Sequence, residues 1–176
     1  EGIAKAVKVL LNAVDIKCIV VTGKADGNGQ NGPHAWNIVN IDGKAYQLDI
    51  TWDIGAGGKN KDRMAYDYFN LTDGMMYMDH TPDSKLPICN SLDMNYFRNN
   101  KLVFNSKTRL LAYIDSLLKK GEMDFYFQLE GRLKMKDILK DISDLSMSVM
   151  TTQGKRNVRI QHIPNEKLGT CWVRIK

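Results

Sequence analysis

The sequence predicts an α+β chain: an N-terminal helix packed on an antiparallel sheet, followed by a small α+β C-terminal unit. Three observations carry this. Residues 1–17 place Ile3, Val7, Leu10 and Val14 at helical spacing, supported by Ala4, Ala6 and Leu11. The stretch GPHAWNIVNIDGKAYQLDITWD, residues 32–53, sets Asp42-Gly43 between two apolar runs, a strong hairpin signal because a type I′ turn needs positive φ at both positions. After Asn105 the charge and the pattern change, which divides the chain into residues 1–106 and 107–176.

The elements follow in order. The first helix has no capping residue ahead of it, and Glu1 and Gly2 open it abruptly. The chain is therefore expected to begin just inside a larger domain. It opens with neither an initiator Met nor a signal-peptide pattern. KCIVVTG, ending at Gly23, reads as a buried strand, and KADGNGQNGP as a loop. After the hairpin, residues 53–65 read as a Gly-rich loop and YDYFNLT, residues 66–72, as a strand. Residues 73–100, punctuated by Pro82, Pro87, Asp and Asn, should hold short irregular elements. Beyond them KTRLLAYIDSLLKKG reads as a helix closing on Gly121 and MDFYFQLEG as a strand. RLKMKDILKDISDLSMSVMTT is a long helical pattern, and RNVRIQHI and GTCWVRIK read as a hairpin around PNEKLG.

Composition bounds the function classes. Hydrophobic residues are 43% and charged residues 26% of 176, ordinary globular values. No run approaches the length of a membrane span. The net charge of +5 is unevenly placed: residues 1–106 carry 11 Lys and Arg against 12 Asp and Glu, and residues 107–176 carry 14 against 8. The basic residues of the second part are spread through amphipathic segments without a dense run. This favours a solvated face over a nucleic-acid surface. Three cysteines, Cys18, Cys89 and Cys171, are odd in number and widely spaced, which argues against a disulfide framework and a structural zinc site. Cys18 and Cys171 sit in apolar strand-like runs and read as small buried hydrophobes.

Taken literally, the Asp42-Gly43 turn fixes a register. Ile41 pairs with Lys44, Trp36 lies opposite Asp49, and His34 lies opposite Thr51. One face then carries His34, Trp36, Ile38, Gln47, Asp49 and Thr51. The other carries Ala35, Asn37, Val39, Ile41, Tyr46, Leu48 and Ile50. His34 and Asp49 become diagonal neighbours with Cα atoms roughly 7–8 Å apart, within reach of a carboxylate–imidazole bond. That bond would fix the tautomer and leave the other ring nitrogen as a base. A one-residue bulge would split the pair across the faces. For an arbitrary hairpin the simpler reading is a polar pair satisfying each other at a sheet surface; here the tryptophans and the Gly-rich approach loop weigh against it, and spacing alone does not decide. Trp36 shares their face and is the candidate substrate-binding residue, whereas Trp52 reads as a packing residue. His80 and His162 read as structural or surface residues.

HAWNIVNIDGKAYQLDITWD resembles the histidine and aspartate blocks of the transglutaminase-like superfamily, in its bacterial cysteine-peptidase-like branch. YFNLTD with His80 a little beyond, and the opening EGIAKAVKVLLNAVDIKCIVVTG, resemble the blocks on either side. The resemblance covers roughly residues 1–100. It implies a papain/transglutaminase-like core and a Cys–His–Asp triad in which His34 and Asp49 take the family's histidine and aspartate places. It puts the nucleophilic cysteine at the start of the first helix, immediately ahead of Glu1. Cys18, Cys89 and Cys171 are poor substitutes; Cys89, in a loop where a thiol can be exposed, is the least implausible. The resemblance further implies a peptide or protein substrate, hydrolysis or acyl transfer at an amide, and an extracellular or cell-envelope location. No cofactor or metal, no nucleic acid and no membrane span are expected. Without its nucleophile the chain should be inert, with a non-catalytic binding or structural module of the same fold as the alternative. Residues 107–176 should contribute no catalytic residue.

Overall fold

The structure is a computed structural model describing residues 1–27, 29–55 and 64–176. Most of the loop expected over residues 53–65 lies outside them. Among the described residues the chain is α+β, with two four-stranded sheets and six helices. It divides into two compact units, residues 1–100 and 101–176.

The first unit opens with α1 (Gly2–Asn12). Its buried face differs from the expected stripe. Ala4 is buried, and Val7 and Leu11 pack on Cys18, Val39, Tyr46 and Leu48. Leu10 and Val14, expected to face the core, are 69% and 64% exposed. Two anchors rotate the helix. The Asn37 amide donates to Ala4 O at 2.9 Å, and the Cys18 N–H donates to Asn12 Oδ1 at 3.1 Å. The small Ala4 side chain lets the helix approach the sheet closely there.

Strand β1 (Lys17–Gly27) pairs with β2 (Gln30–Ile41) along its whole length, from Lys17↔Asn40 to Gly27↔Gln30. The loop expected over residues 24–33 is thus mostly the far end of a long hairpin. Gly29, at φ 78°, closes it, and Asn28-Gly29 is itself a two-residue turn signal in the sequence. Strand β3 (Lys44–Leu48) follows the Asp42-Gly43 turn, whose φ values are 50° and 80°. Its register runs from Ile41↔Lys44 to Asn37↔Leu48, as the turn dictates. One residue later the chain leaves the sheet. Asp49 Oδ1 accepts the N–H groups of Thr51 (2.9 Å) and Trp52 (3.3 Å), which starts the one-turn helix α2 (Ile50–Asp53). Thr51 therefore does not pair opposite His34.

Residues 66–72, expected as a strand, are turns ending in a single bridge. Leu71 exchanges backbone hydrogen bonds of 2.8 and 2.9 Å with Gln47, and Tyr68 O accepts from Asp49 N at 3.1 Å. Asn70, at φ 55°, prevents an extended run. Short elements follow as expected: α3 (Asp73–Met76), capped by Thr72, then β4 (His80–Pro82), then α4 (Tyr96–Asn99), capped by Asn95. The sheet order is β3-β2-β1-β4. Gly23 pairs with Pro82 and Ala25 with His80. Gly23 is required at its place: a Cβ there would lie 2.2 Å from Thr81 O and 2.9 Å from Pro82 Cα and Trp36 Cη2.

The second unit contains β5 (Val103–Phe104), α5 (Lys107–Lys119), β6 (Asp124–Leu129), α6 (Met135–Thr152), β7 (Ile160–Asn165) and β8 (Thr170–Ile175). Its sheet runs β5-β6-β8-β7, with β5 and β6 parallel. Leu110, Ile114 and Leu118 of α5 and Ile138 and Ile142 of α6 bury against Phe125, Phe127 and Val173. Pro164 is tolerated because β7 is an edge strand. No helix among the described residues is long and apolar enough to cross a membrane.

Candidate active site

The β2–β3 hairpin brings His34 and Asp49 together. His34 Nε2 lies 2.6 Å from Asp49 Oδ2. Asp49 is wholly buried, and the His34 side chain keeps 15% exposure. A carboxylate only accepts, so His34 Nε2 carries the proton in this bond. Its Nδ1 has no hydrogen-bond partner among the described residues and holds the free lone pair. The indole of Trp36 stacks near the ring, with centroids 6.3 Å apart and planes 16° apart.

Trp36 itself is fully buried, and its Nε1–H donates to Gln47 Oε1 at 2.8 Å. Gln47 in turn donates to Asp73 Oδ1 at 2.8 Å. Trp36 thus supports the imidazole from within the core. Trp52 is the partly exposed aromatic of the site, 5.6 Å from the His34 ring and 4.5 Å from that of His80. Asp49 comes to its place because β3 ends at Leu48 and the next carboxylate caps α2, so one side chain starts a helix and binds a histidine.

His80, which the sequence pattern alone leaves among structural or surface residues, joins the site. It is buried on β4, with Nε2 3.1 Å from the same Asp49 Oδ2 and Nδ1 2.7 Å from Asp79 Oδ1. The Tyr68 hydroxyl donates to Asp79 Oδ2 at 2.8 Å. The sequence signals for these residues are the resemblance of YFNLTD with His80 beyond it and the Asp79-His80 pair, a carboxylate beside an imidazole a few residues past the bridge. His162 is exposed on β7 of the second unit.

Electrostatics follow from these contacts. Burial alone would raise the Asp49 pKa. The hydrogen bonds from His34 and His80, and their charge, outweigh it and hold the carboxyl below its ordinary value. Burial alone would lower His80. The bonds to Asp49 and Asp79 outweigh it and hold His80 above its ordinary value. The depressed Asp49 stabilises the fold above the unfolded carboxyl value near 4, and this is lost as pH falls through the folded value. The raised His80 stabilises it below about 6.5, and this is lost as pH rises through the folded value. The two effects share the Asp49–His80 bond, with His34 adding to the first and Asp79 to the second. The first unit should therefore be most stable between about pH 4 and 6.5, which urea unfolding across pH will show as a maximum there. A flat profile from about pH 4 to 9 would contradict it.

Donor atoms of His34, Asp49 and His80 all lie within 4.8 Å of one another, a set that could hold a divalent cation. Asp49 Oδ2 lies 2.6 and 3.1 Å from the two imidazole nitrogens, which are hydrogen-bond distances. They are shorter than the roughly 3.3 Å between tetrahedral donors at zinc bond lengths. As arranged, both imidazoles bind the Asp49 carboxylate.

The three cysteines are all buried. Cys89, expected to be the most accessible, is not: burial and the neighbouring Asp73 push its thiol up to about 12. Cys18 is raised by burial, against a hydrogen bond from the Asn37 amide.

No protein-family model matches the chain. It is similar to the kyphoscoliosis peptidase of Mus musculus, with 27% identity over 97 residues, which cover 48% of this chain. The match spans 15% of that longer protein. A likeness of this extent suggests the transglutaminase-like superfamily and no narrower group.

Proposed function

We propose that this chain carries the base half of a transglutaminase-like cysteine hydrolase or acyl-transfer site acting on peptide or protein amides. The observation that carries the reading is the 2.6 Å bond between His34 Nε2 and Asp49 Oδ2, which leaves Nδ1 free. In this reading Asp49 steadies the His34 imidazolium. His34 Nδ1 takes the proton of a cysteine thiol, and the thiolate attacks the amide carbonyl. The departing amine takes the proton back from His34, leaving a thioester for water or a second amine. The nucleophile is a cysteine immediately ahead of Glu1, at the N-terminus of α1, where the helix dipole and unpaired N–H groups favour a thiolate.

The run of α1 supports this place. From Asn12, bonded at Cys18, the helix leads back to Ala4, bonded at Asn37. Cys18 pairs with Val39, so the helix start points toward the His34 end of β2. Helix and imidazole lie on opposite pleats of that strand, and the reading requires the thiol to reach His34 around the strand's end. A non-catalytic module of the same fold is the second reading, favoured by the burial of all three cysteines.

The test adds one residue. The 176-residue chain should be inert toward amides and, while folded, toward iodoacetamide. With a cysteine appended ahead of Glu1, the new thiol should alkylate with a midpoint well below the free value of about 8.5. His34→Ala should move that midpoint back up. Mass spectrometry of the N-terminal peptide across pH reads both. A thiol that titrates as free, unchanged by His34→Ala, would replace the triad reading with the binding module.

A further inference from the structure

We propose that His80 is a positioning residue that sets the basicity of His34 through their shared acceptor, the Oδ2 of Asp49, with Asp79 holding His80 as a charged imidazolium that donates from both nitrogens. The proposal rests on reading His34 as the base. Its geometry stands independently of any nucleophile.

Asp49 is saturated. Oδ1 takes the N–H groups of Thr51 and Trp52, and Oδ2 takes His34 Nε2 at 2.6 Å and His80 Nε2 at 3.1 Å. Each His80 nitrogen faces a carboxylate oxygen, Asp49 on one side and Asp79 at 2.7 Å on the other. Carboxylates only accept, so both nitrogens carry protons and the ring is positive. Burial opposes that charge, and the two carboxylates restore it. Tyr68 fixes Asp79 from behind through its hydroxyl. The rings of Trp36 and Trp52 lie 5.0 and 4.5 Å from His80. The elements packed against this segment carry further charged groups. Asp26 meets this segment by its backbone N–H on Asp79 O, Lys24 is exposed opposite Thr81, Asp53 Oδ1 accepts from Tyr68 N, and Asp83 N donates to Thr22 O.

A lone carboxylate would raise the basicity of His34 and hold it protonated through neutral pH. Here a second cation sits on the same oxygen, with its ring centroid 5.4 Å from that of His34. It shares the lone pairs and opposes a second positive charge. That opposition suits a group that must accept a proton near neutral pH.

The chain has three histidines, so proton NMR can follow each imidazole in the 176-residue protein, with the exposed His162 as internal reference. His80→Gln keeps an uncharged N–H donor near the position of Nε2. It should raise the His34 midpoint by about one pH unit and leave His162 unmoved. Asp79→Asn, which weakens the hold on the imidazolium, should raise it by a smaller amount. An unmoved or lowered His34 midpoint in folded His80→Gln overturns the proposal. If that variant fails to fold, the unaltered protein decides. Nitrogen-15 shifts of His80 should show both nitrogens protonated at about pH 7, and a neutral His80 there overturns the proposal equally. Failure of the appended cysteine to ionise early would remove the triad reading and leave this result standing.

Discussion

Asp49→Ala should destabilise the first unit by about 3–5 kcal/mol, the cost of breaking a buried ionic group by removing one partner. Four donors lose their acceptor together: two imidazole nitrogens and the N–H groups that begin α2. The substitution leaves the His80 charge buried beside Asp79 alone and unwinds the cap that turns the chain after β3. Urea unfolding followed by tryptophan fluorescence measures the loss, because Trp36 and Trp52 both lie against the affected rings. Asp49→Asn should retain part of the cap through its amide oxygen. It can accept at the other position only by giving up that bond, so the maximum in stability near about pH 4 to 6.5 should vanish with either substitution. A loss below about 1 kcal/mol would mean that these groups re-solvate freely and that the network is ornamental.

Gly23→Ala should be nearly as damaging, at about 3 kcal/mol or above, the upper end for overpacking. The added methyl would meet backbone, Thr81 O at 2.2 Å, and the Trp36 ring at 2.9 Å. Neither can move alone, because Trp36 is fully buried and Thr81 sits in the strand that carries His80. The damage should therefore include the chemistry: β4 shifts, His80 leaves Asp49 Oδ2, and the alkaline decline in stability disappears. Gly32→Ala, on the same hairpin, adds a methyl with nothing within 4 Å of it. It should change stability by less than about 1 kcal/mol. Thermal unfolding of the pair separates a packing requirement from a general weakness of the hairpin.

Short-range geometry is what the residues make legible. Asp42-Gly43, taken as a two-residue turn, gives the register from Ile41↔Lys44 to Asn37↔Leu48, and its extension puts His34 and Asp49 on one face, where a one-residue bulge would have parted them. The α1 stripe misleads because Leu10 and Val14 have the right spacing, while the anchors that rotate the helix, Asn37 to Ala4 O and Cys18 to Asn12, come from distant strands. The end of β3 is hidden because Asp49 leaves extended pairing to cap a helix of only four residues, too short to show a period. Residues 66–72 carry strand composition, yet a left-handed Asn70 and a single bridge to Gln47 decide their shape. His80 is illegible as a site residue because its place depends on an edge strand of three residues pairing with the far end of β1. The papain-like character of the core and the cysteine ahead of Glu1 rest on resemblance.

The separation of the partners along the chain sets the order in which the site assembles. His34 and Asp49 are 15 residues apart and joined by a two-residue turn, so their meeting is a local hairpin event, on the order of microseconds. His80 is 31 residues from Asp49 and reaches it only when β4 docks on β1, after a longer loop has closed. On this order the folding chain is expected to pair His34 with Asp49 while His80 is still in water. Arrival of the last strand then brings the His80 imidazole onto the carboxylate oxygen that His34 already holds. Refolding followed through the His34 resonance should register the docking of β4 as a late fall in its protonation near neutral pH, distinct in time from closure of the hairpin.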